Sequence, residues 1–488
     1  MRFAALAFLA VSAASAQMRV VALASKSPLV TFRIVFTTGS TADPEDKPGL
    51  AYLTAAMLAN SGTKDLTYRQ ITDALFPMAA SVNLTVDKEM CTFYGTTHVD
   101  NLDEYYRLLR TMLLEPGWRA DDFQRVKDDA INNLRVSLRS NDEELGKEVL
   151  YANLYAGTPY GHYSGGTVSA LEAMTLDDVR GFYKNQYSQS HLILGIAGGY
   201  PPAFLEQVRK DFRALPEGAG FQPRQEEPAA IRKSRAVIVD KGTRSVAYSI
   251  GYPIPVTRQS PTYPALLVAT TYLGQHRMSG GLLYREMREK RGLNYGDYAY
   301  LEYFPRGMYL FEPQTNLARH SQIFQLWIRP VEPPTAKFAL RLALFELDRL
   351  IRQGISEEAF QRTREFATKY VNVLTRTQSA NLGYALDGLY YDRPNFPETL
   401  KAGLAKLTRG DVNRAMQLYL RTDRLVVAAV SGDGVGLRQQ LASADPSPMQ
   451  YNSPKSDTIL EEDKIVEKWP LGLAADDITV VPVASVFQ

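Results

Sequence analysis

The stretch 174–199, MTLDDVRGFYKNQYSQSHLILGIAGG, is echoed at 407–433 by LTRGDVNRAMQLYLRTDRLVVAAVSGD. Thr408, Val412 and Leu425 each fall 233 residues after Thr175, Val179 and Leu192. In both copies a helix is followed by a tyrosine-containing connector, an apolar strand and a turn of small residues. In the first, Asp177 and Asp178 occupy the first helical turn, where the helix dipole favours them. A duplication of this size constrains the fold more than any single element does, and 488 residues are ample for two domains. The sequence therefore predicts an α+β protein of two homologous halves, each a mainly antiparallel sheet covered by helices. The halves are expected over 17–215 and 233–440, joined by a Pro-, Gly- and charge-rich linker at 216–232. From 441 to 488 Pro, Ser, Asp and Lys dominate, which predicts an extended tail. Within it, Ile478 to Val481 has the character of an added strand that Pro482 confines to a sheet edge.

Local patterns fill in the first half. Val30 to Thr38 reads as a buried strand, and Pro48-Gly49 opens a helix with Leu50, Leu53, Met57 and Leu58 at helical spacing, stopped by Ser61-Gly62. Strands are expected over Ser81 to Val86 and Glu89 to Thr97, and helices over Leu102 to Leu114 and Ala120 to Arg139. Residues 1–16 resemble a secretory signal: Arg2, an apolar run from Phe3 to Val11, and Ala14-Ser15-Ala16 before Gln17. The run is too short to span a bilayer, and no later stretch reaches the roughly 20 apolar residues a spanning helix needs. The expectation is an exported protein, periplasmic or secreted. With 55 basic and 53 acidic residues the net charge is +2, which gives no reason to expect a nucleic-acid partner. Cys91 is the only cysteine, so no internal disulfide forms.

Several stretches, in order, carry a resemblance to a known family. They are TTGSTADPEDKPGLAYLTAAMLANSGT (37–63), ASVNLTVDKEMCTF (80–93), TPYGHYSGGTVSALEAMTLDDVRGFYKNQY (158–187) and LLYREMREKRGLNYG (282–296). Together they resemble the pitrilysin and insulinase zinc peptidases, the group that includes the mitochondrial processing peptidases and core proteins of respiratory complexes. The resemblance implies two halves facing each other as a clam-shell. In active relatives H-x-x-E-H places two histidines on the metal and a glutamate beside the water. Here GLAYLTAAML (49–58) puts Tyr52, Ala55 and Ala56 at those positions. The position matching the third ligand is Asn133, 77 residues after Ala56. A phenol, a methyl group and an amide do not make a catalytic zinc site, and Ala55 cannot act as a base. The five histidines, His98, His162, His191, His276 and His320, show no i,i+4 pair that would replace the motif. No metal or cofactor is expected in this chain.

The resemblance also implies an arginine and a tyrosine seven apart that reach the substrate carbonyl from the second half. Arg288 and Tyr295 have that spacing, and a guanidinium with a phenol can hold the negative charge that builds on a carbonyl oxygen during hydrolysis. Arg285 and Arg291 are expected at the surface. The implied function is the incomplete subunit of a two-subunit zinc metallopeptidase. This chain would lend Arg288 and Tyr295 to a peptide held at the zinc of a homologous H-x-x-E-H partner, in a heterodimer or larger assembly, and would be inactive alone. The alternative is a non-enzymatic peptide-binding or scaffold protein. In active relatives the peptide adds as a strand to a sheet edge, which is expected here near Glu89 to Thr97.

Overall fold

The computed structural model describes residues 18–219, 227–274, 279–305 and 314–488. The signal-like segment 1–16, the middle of the linker and His276 lie outside the described residues.

Two sheets organise the molecule. The first takes β1 (Arg19–Ala24), β2 (Leu29–Phe36), β3 (Asn83–Val86), β4 (Cys91–His98) and β5 (Leu192–Gly198) in the order β1-β5-β2-β4-β3. The second takes β6 (Arg235–Asp240), β7 (Val246–Ile254), β8 (Asn294–Tyr300), β9 (Gln322–Val331) and β10 (Val426–Ser431) in the matching order β6-β10-β7-β9-β8. In each, the first and last strands of the five pair in parallel and the other pairs are antiparallel. The repeat in the sequence is thus a repeat of topology. Its helices, Leu176–Gln186 and Arg409–Tyr419, are both 11 residues long. Each opens on a capping box, Thr175 with Asp178 and Thr408 with Asp411. Each closes two orphan backbone donors with one short motif. Val179 and Val412, the matching apolar positions, are both fully buried.

The halves exchange helices. Asp142–Leu154, from the first, lies on β7 and β10 of the second sheet. Gln378–Tyr390, from the second, lies on β1, β2 and β5 of the first. This close approach needs glycine: a Cβ on Gly195 of β5 would sit 2.7 Å from Leu386 Cδ1 and from the Arg33 carbonyl oxygen. Polar bonds fix the same contact, with Arg33 Nε donating to Asn316 Oδ1 at 2.6 Å and Gln378 Nε2 to Thr31 Oγ1 at 2.9 Å.

The β3–β4 turn, Asp87-Lys88-Glu89, is a second tie between halves. All three side chains are buried. Arg319 Nε donates to Asp87 at 2.6 Å, while Glu89 accepts from the His320 backbone and ring nitrogens, each at 2.5 Å, and from the Tyr160 and Tyr390 hydroxyls. Lys88 donates to the His162 carbonyl, and burial draws its pKa down to about 8.

Residues 441–488 are not extended throughout, contrary to their composition. They form a helix, Asp457–Val466, and a strand, β11 (Ile478–Pro482), which adds in parallel to the outer side of β6 with Pro482 at its end. Long-range pairing overrides the local signal here: Val466 is fully buried in the second core, and Glu462 and Asp463 both meet the buried Arg291. Among the described residues, no helix is long and apolar enough to cross a membrane.

Candidate functional site

The helix Leu50–Asn60 is core on nearly every side. Apart from Tyr52 and Asn60 all its residues are buried, as it packs against Ala120–Asn132, Leu176–Gln186 and β3. Its start is held from a distance: the buried Asp43 carboxylate accepts from the Gly49 and Ala51 amides, both at 2.7 Å, and from His162 Nε2 at 3.0 Å. His162 is therefore a structural partner of this helix. Ala55 is 0% and Ala56 3% exposed.

Tyr52 and Asn133 line a cleft of about 1150 Å³ between the halves, shared with Tyr163 and with Ser245, Ala247 and Arg329 of the second half. The cleft's described lining does not include Ala55 or Ala56. Asn133 opens a π-helical turn, Asn133–Leu138, that follows the Ala120–Asn132 helix. Burial raises the pKa of the Tyr163 hydroxyl, and Asn133 works in the opposite direction. Tyr163 in turn stacks on Phe487, ring centroids 5.4 Å apart, which brings the C-terminal end of the chain against the first half. Where the family holds its metal, this chain has two phenols, an amide and buried methyl groups. That donor set does not fit zinc.

The strand flanking the cleft is β3, through Leu84, Thr85 and Val86. This corrects the expected docking edge at Glu89 to Thr97. β4 is interior, paired on both sides with β2 and β3, and β3 is the edge strand.

Arg288 and Tyr295 are brought together elsewhere. Arg288 lies on a second π-helical turn, Tyr284–Glu289, and Tyr295 near the start of β8, the edge strand of the second sheet. π-turns often accompany functional sites, and the two among the described residues carry Asn133 and Arg288, positions that the resemblance singles out. The Arg288 guanidinium carbon lies 4.3 Å from the Tyr295 ring centroid and 5.0 Å from that of Tyr284. Arg288 Nη1 also donates to the Tyr295 carbonyl at 3.4 Å. Tyr295 is 68% exposed. Neither residue is in the described lining of the cleft, so the pair does not meet Tyr52 and Asn133 there. Tyr284 is a residue that sequence reasoning passed over, although its i,i+4 spacing to Arg288 was a readable signal. Beneath them, burial raises the Asp297 carboxyl to about 7, against a bond from Asn294 and the charge of Arg288.

Arg291 is corrected from a surface residue to a buried one. Its side chain is 0% exposed, bonded to Asp463, Glu462 and the Glu286 carbonyl. Arg285 stays near the surface, on the Gly280 carbonyl. Glu286, Glu346 and Glu462 are, among the described residues, the one group of three candidate ligands close enough to share a cation, their oxygens within 4.8 Å. Lys290, Arg291 and Arg349 already pair with them. Burial raises Glu346 to about 7. The group is an ion-pair cluster.

Comparison with known proteins agrees with this geometry. The model for insulinase, peptidase family M16, matches residues 19–167, and that for the peptidase M16 inactive domain matches 173–366. The chain belongs to this family and is an inactive member of it, without the ligands or the base for peptide hydrolysis on its own. It is 22% identical over 414 residues to the non-peptidase homolog YmxG of Helicobacter pylori, covering 83% of this chain and 89% of that protein. It is 23% identical to the mitochondrial-processing peptidase subunit beta of Caenorhabditis elegans, over 51% of this chain and 54% of that one. A solved peptidase M16 inactive domain from Pseudomonas fluorescens superposes with a TM-score of 0.74 at 21% identity, covering 85% of this chain and 96% of that chain. A protease from Helicobacter pylori gives 0.73 at 16% identity, with 84% and 96% covered.

Proposed function

We propose that this chain is the incomplete subunit of a zinc metallopeptidase and supplies oxyanion donors to a homologous partner. The observation that carries this reading is the Arg288–Tyr295 pair, in contact at a sheet edge with the tyrosine exposed, in a chain whose Ala55 and Ala56 are buried in the core. A partly exposed arginine held between two rings contributes little to stability. It is well placed to serve a reaction in another subunit. As the scissile carbonyl of a peptide takes up negative charge, the Arg288 guanidinium and the Tyr295 hydroxyl hold the oxygen. The partner, bearing H-x-x-E-H, supplies the metal and the base. The β3 edge beside the cleft is the place where a peptide strand can add.

Purification of the full chain should bring down an H-x-x-E-H homologue in fixed proportion. In that complex Arg288→Ala should lower kcat on the order of 10²–10³. An unchanged rate sinks the oxyanion role and leaves the non-enzymatic scaffold, a reading kept open by similarity to a chain of complex III2 from Candida albicans at a TM-score of 0.68. We also propose that the assembly works outside the cytoplasm, on the basis of the signal-like residues 1–16. A mature protein whose N-terminus is not Gln17 would count against that.

A further inference from the structure

We propose that the C-terminal helix Asp457–Val466 is a positioning element for the Arg288–Tyr295 pair, acting through Arg291. The proposal rests on the oxyanion reading above and assigns the tail a part in it.

Arg291 lies three residues after Arg288 and four before Tyr295. Its Nη1 donates to the Glu286 carbonyl at 3.0 Å, within the turn that carries Arg288. Its Nε donates to Asp463 Oδ1 at 2.8 Å and its Nη2 to Glu462 Oε2 at 2.5 Å, both on the C-terminal helix. One planar fork thus joins the backbone of the turn to the tail. Burial works against the charge of Arg291, and Glu462 and Asp463 more than offset it, so its pKa lies above the ordinary arginine value. The tail helix is itself held. Glu462 Oε1 accepts from Arg349 Nη1 at 2.5 Å, and Asp463 Oδ2 accepts from the Tyr451 hydroxyl at 2.5 Å.

Between Arg288 and Tyr295 the other anchors are local: Lys290 Nζ donates to Glu286, the Gly292 amide returns to the Arg288 carbonyl, and Leu293 is buried in the second core. Glu289 and Lys290 are exposed, as is Gly292, which takes a left-handed φ of +67°. The Leu293 amide returns to the Met287 carbonyl at 3.0 Å. An oxyanion donor must be held within about 0.5 Å of its working position, and a displacement of about 1 Å can cost on the order of 10² in rate. Buried ion pairs are a poor way to gain stability alone, since apolar packing often does as well. Their position under the exposed pair is what a positioning role explains.

The test compares Glu462→Gln/Asp463→Asn with Tyr451→Phe, the milder variant, which removes one bond to Asp463 and leaves every charge. Hydrogen exchange on the isolated chain should show lost protection over 284–296, with the Leu50–Asn60 helix unchanged, strongly in the first variant and partly in the second. In the purified two-subunit complex, kcat should fall on the order of 10² while KM and subunit stoichiometry hold. Unchanged exchange over 284–296 in either folded variant overturns the proposal. So does an unchanged kcat where Arg288→Ala lowers it. If Arg288→Ala itself leaves the rate unchanged, the oxyanion reading fails, and exchange alone then decides whether the tail orders the turn.

Discussion

The Leu50–Asn60 helix and the Tyr284–Glu289 turn carry residues from the two sets that the resemblance expects at one carbonyl, and here they are treated in opposite ways. Around the first, Ala55 and Ala56 are core atoms, while Tyr52 and Asn133 line the cleft between the halves. Around the second, Tyr295 stands in solvent over a buried network of charges, with Arg288 stacked on its ring. The first arrangement is what packing alone produces. The second is not: apolar packing does not account for an arginine held against a tyrosine ring that stands in solvent at a sheet edge. On the proposed reading, the contrast separates chemistry this chain lacks from chemistry it would lend to another subunit.

The strongest way to break the contrast is to rebuild the metal motif. Tyr52→His/Ala55→Glu/Ala56→His should not yield a zinc protein, because positions 55 and 56 face the core. It should cost about 3–5 kcal/mol, as expected for an unpaired charge forced into a packed interior. Metal analysis and denaturant unfolding check it; stoichiometric zinc with wild-type stability would show that the site is only vacant. Next in size, Tyr295→Phe keeps the ring under Arg288 and removes only the hydroxyl. In the complex it should lower kcat on the order of 10² and leave the isolated chain's unfolding midpoint in place. Equal rates for both proteins would confine the oxyanion role to Arg288.

The smallest effect concerns Asp297. Its carboxyl titrates near 7 in the folded chain, above its ordinary value of 3.8, because it is buried. The folded state therefore binds this proton more tightly than the unfolded state does. Stability from this group is fully present below pH 4 and is lost as pH rises through 7. Asp297→Asn should raise the melting temperature at pH 8 and change it little at pH 4. A variant that melts below wild type at pH 8 would mean that the ionised carboxylate is needed beside Arg288.

Much of this was legible in the sequence. The spacing of Thr175 and Thr408 announced the repeat, and the structure adds the capping boxes that start its helices. The missing ligands at Tyr52, Ala55, Ala56 and Asn133 could be read position by position, as could the spacing of Arg288 and Tyr295. What could not be read depends on partners far away in the chain. Arg291 resembles any helix-surface arginine until Glu462 and Asp463 arrive from about 170 residues downstream. β4 and β3 show similar alternation, and only the strand order tells the interior strand from the edge. β1, a short apolar run just after a signal-like segment, carries too little pattern to be separated from it. The helix exchange between halves leaves no local trace at all.

That exchange sets the order in which the molecule can mature. Val35, Ile193 and Ala197 of the first sheet are covered by Leu382, Leu386 and Tyr390, and Gln378 reaches back 349 residues to the Leu29 carbonyl. A nascent chain that has not yet delivered residue 390 keeps this sheet face bare, and contacts of such sequence separation form slowly. The half that is made first cannot close its sheet until most of the second has followed it.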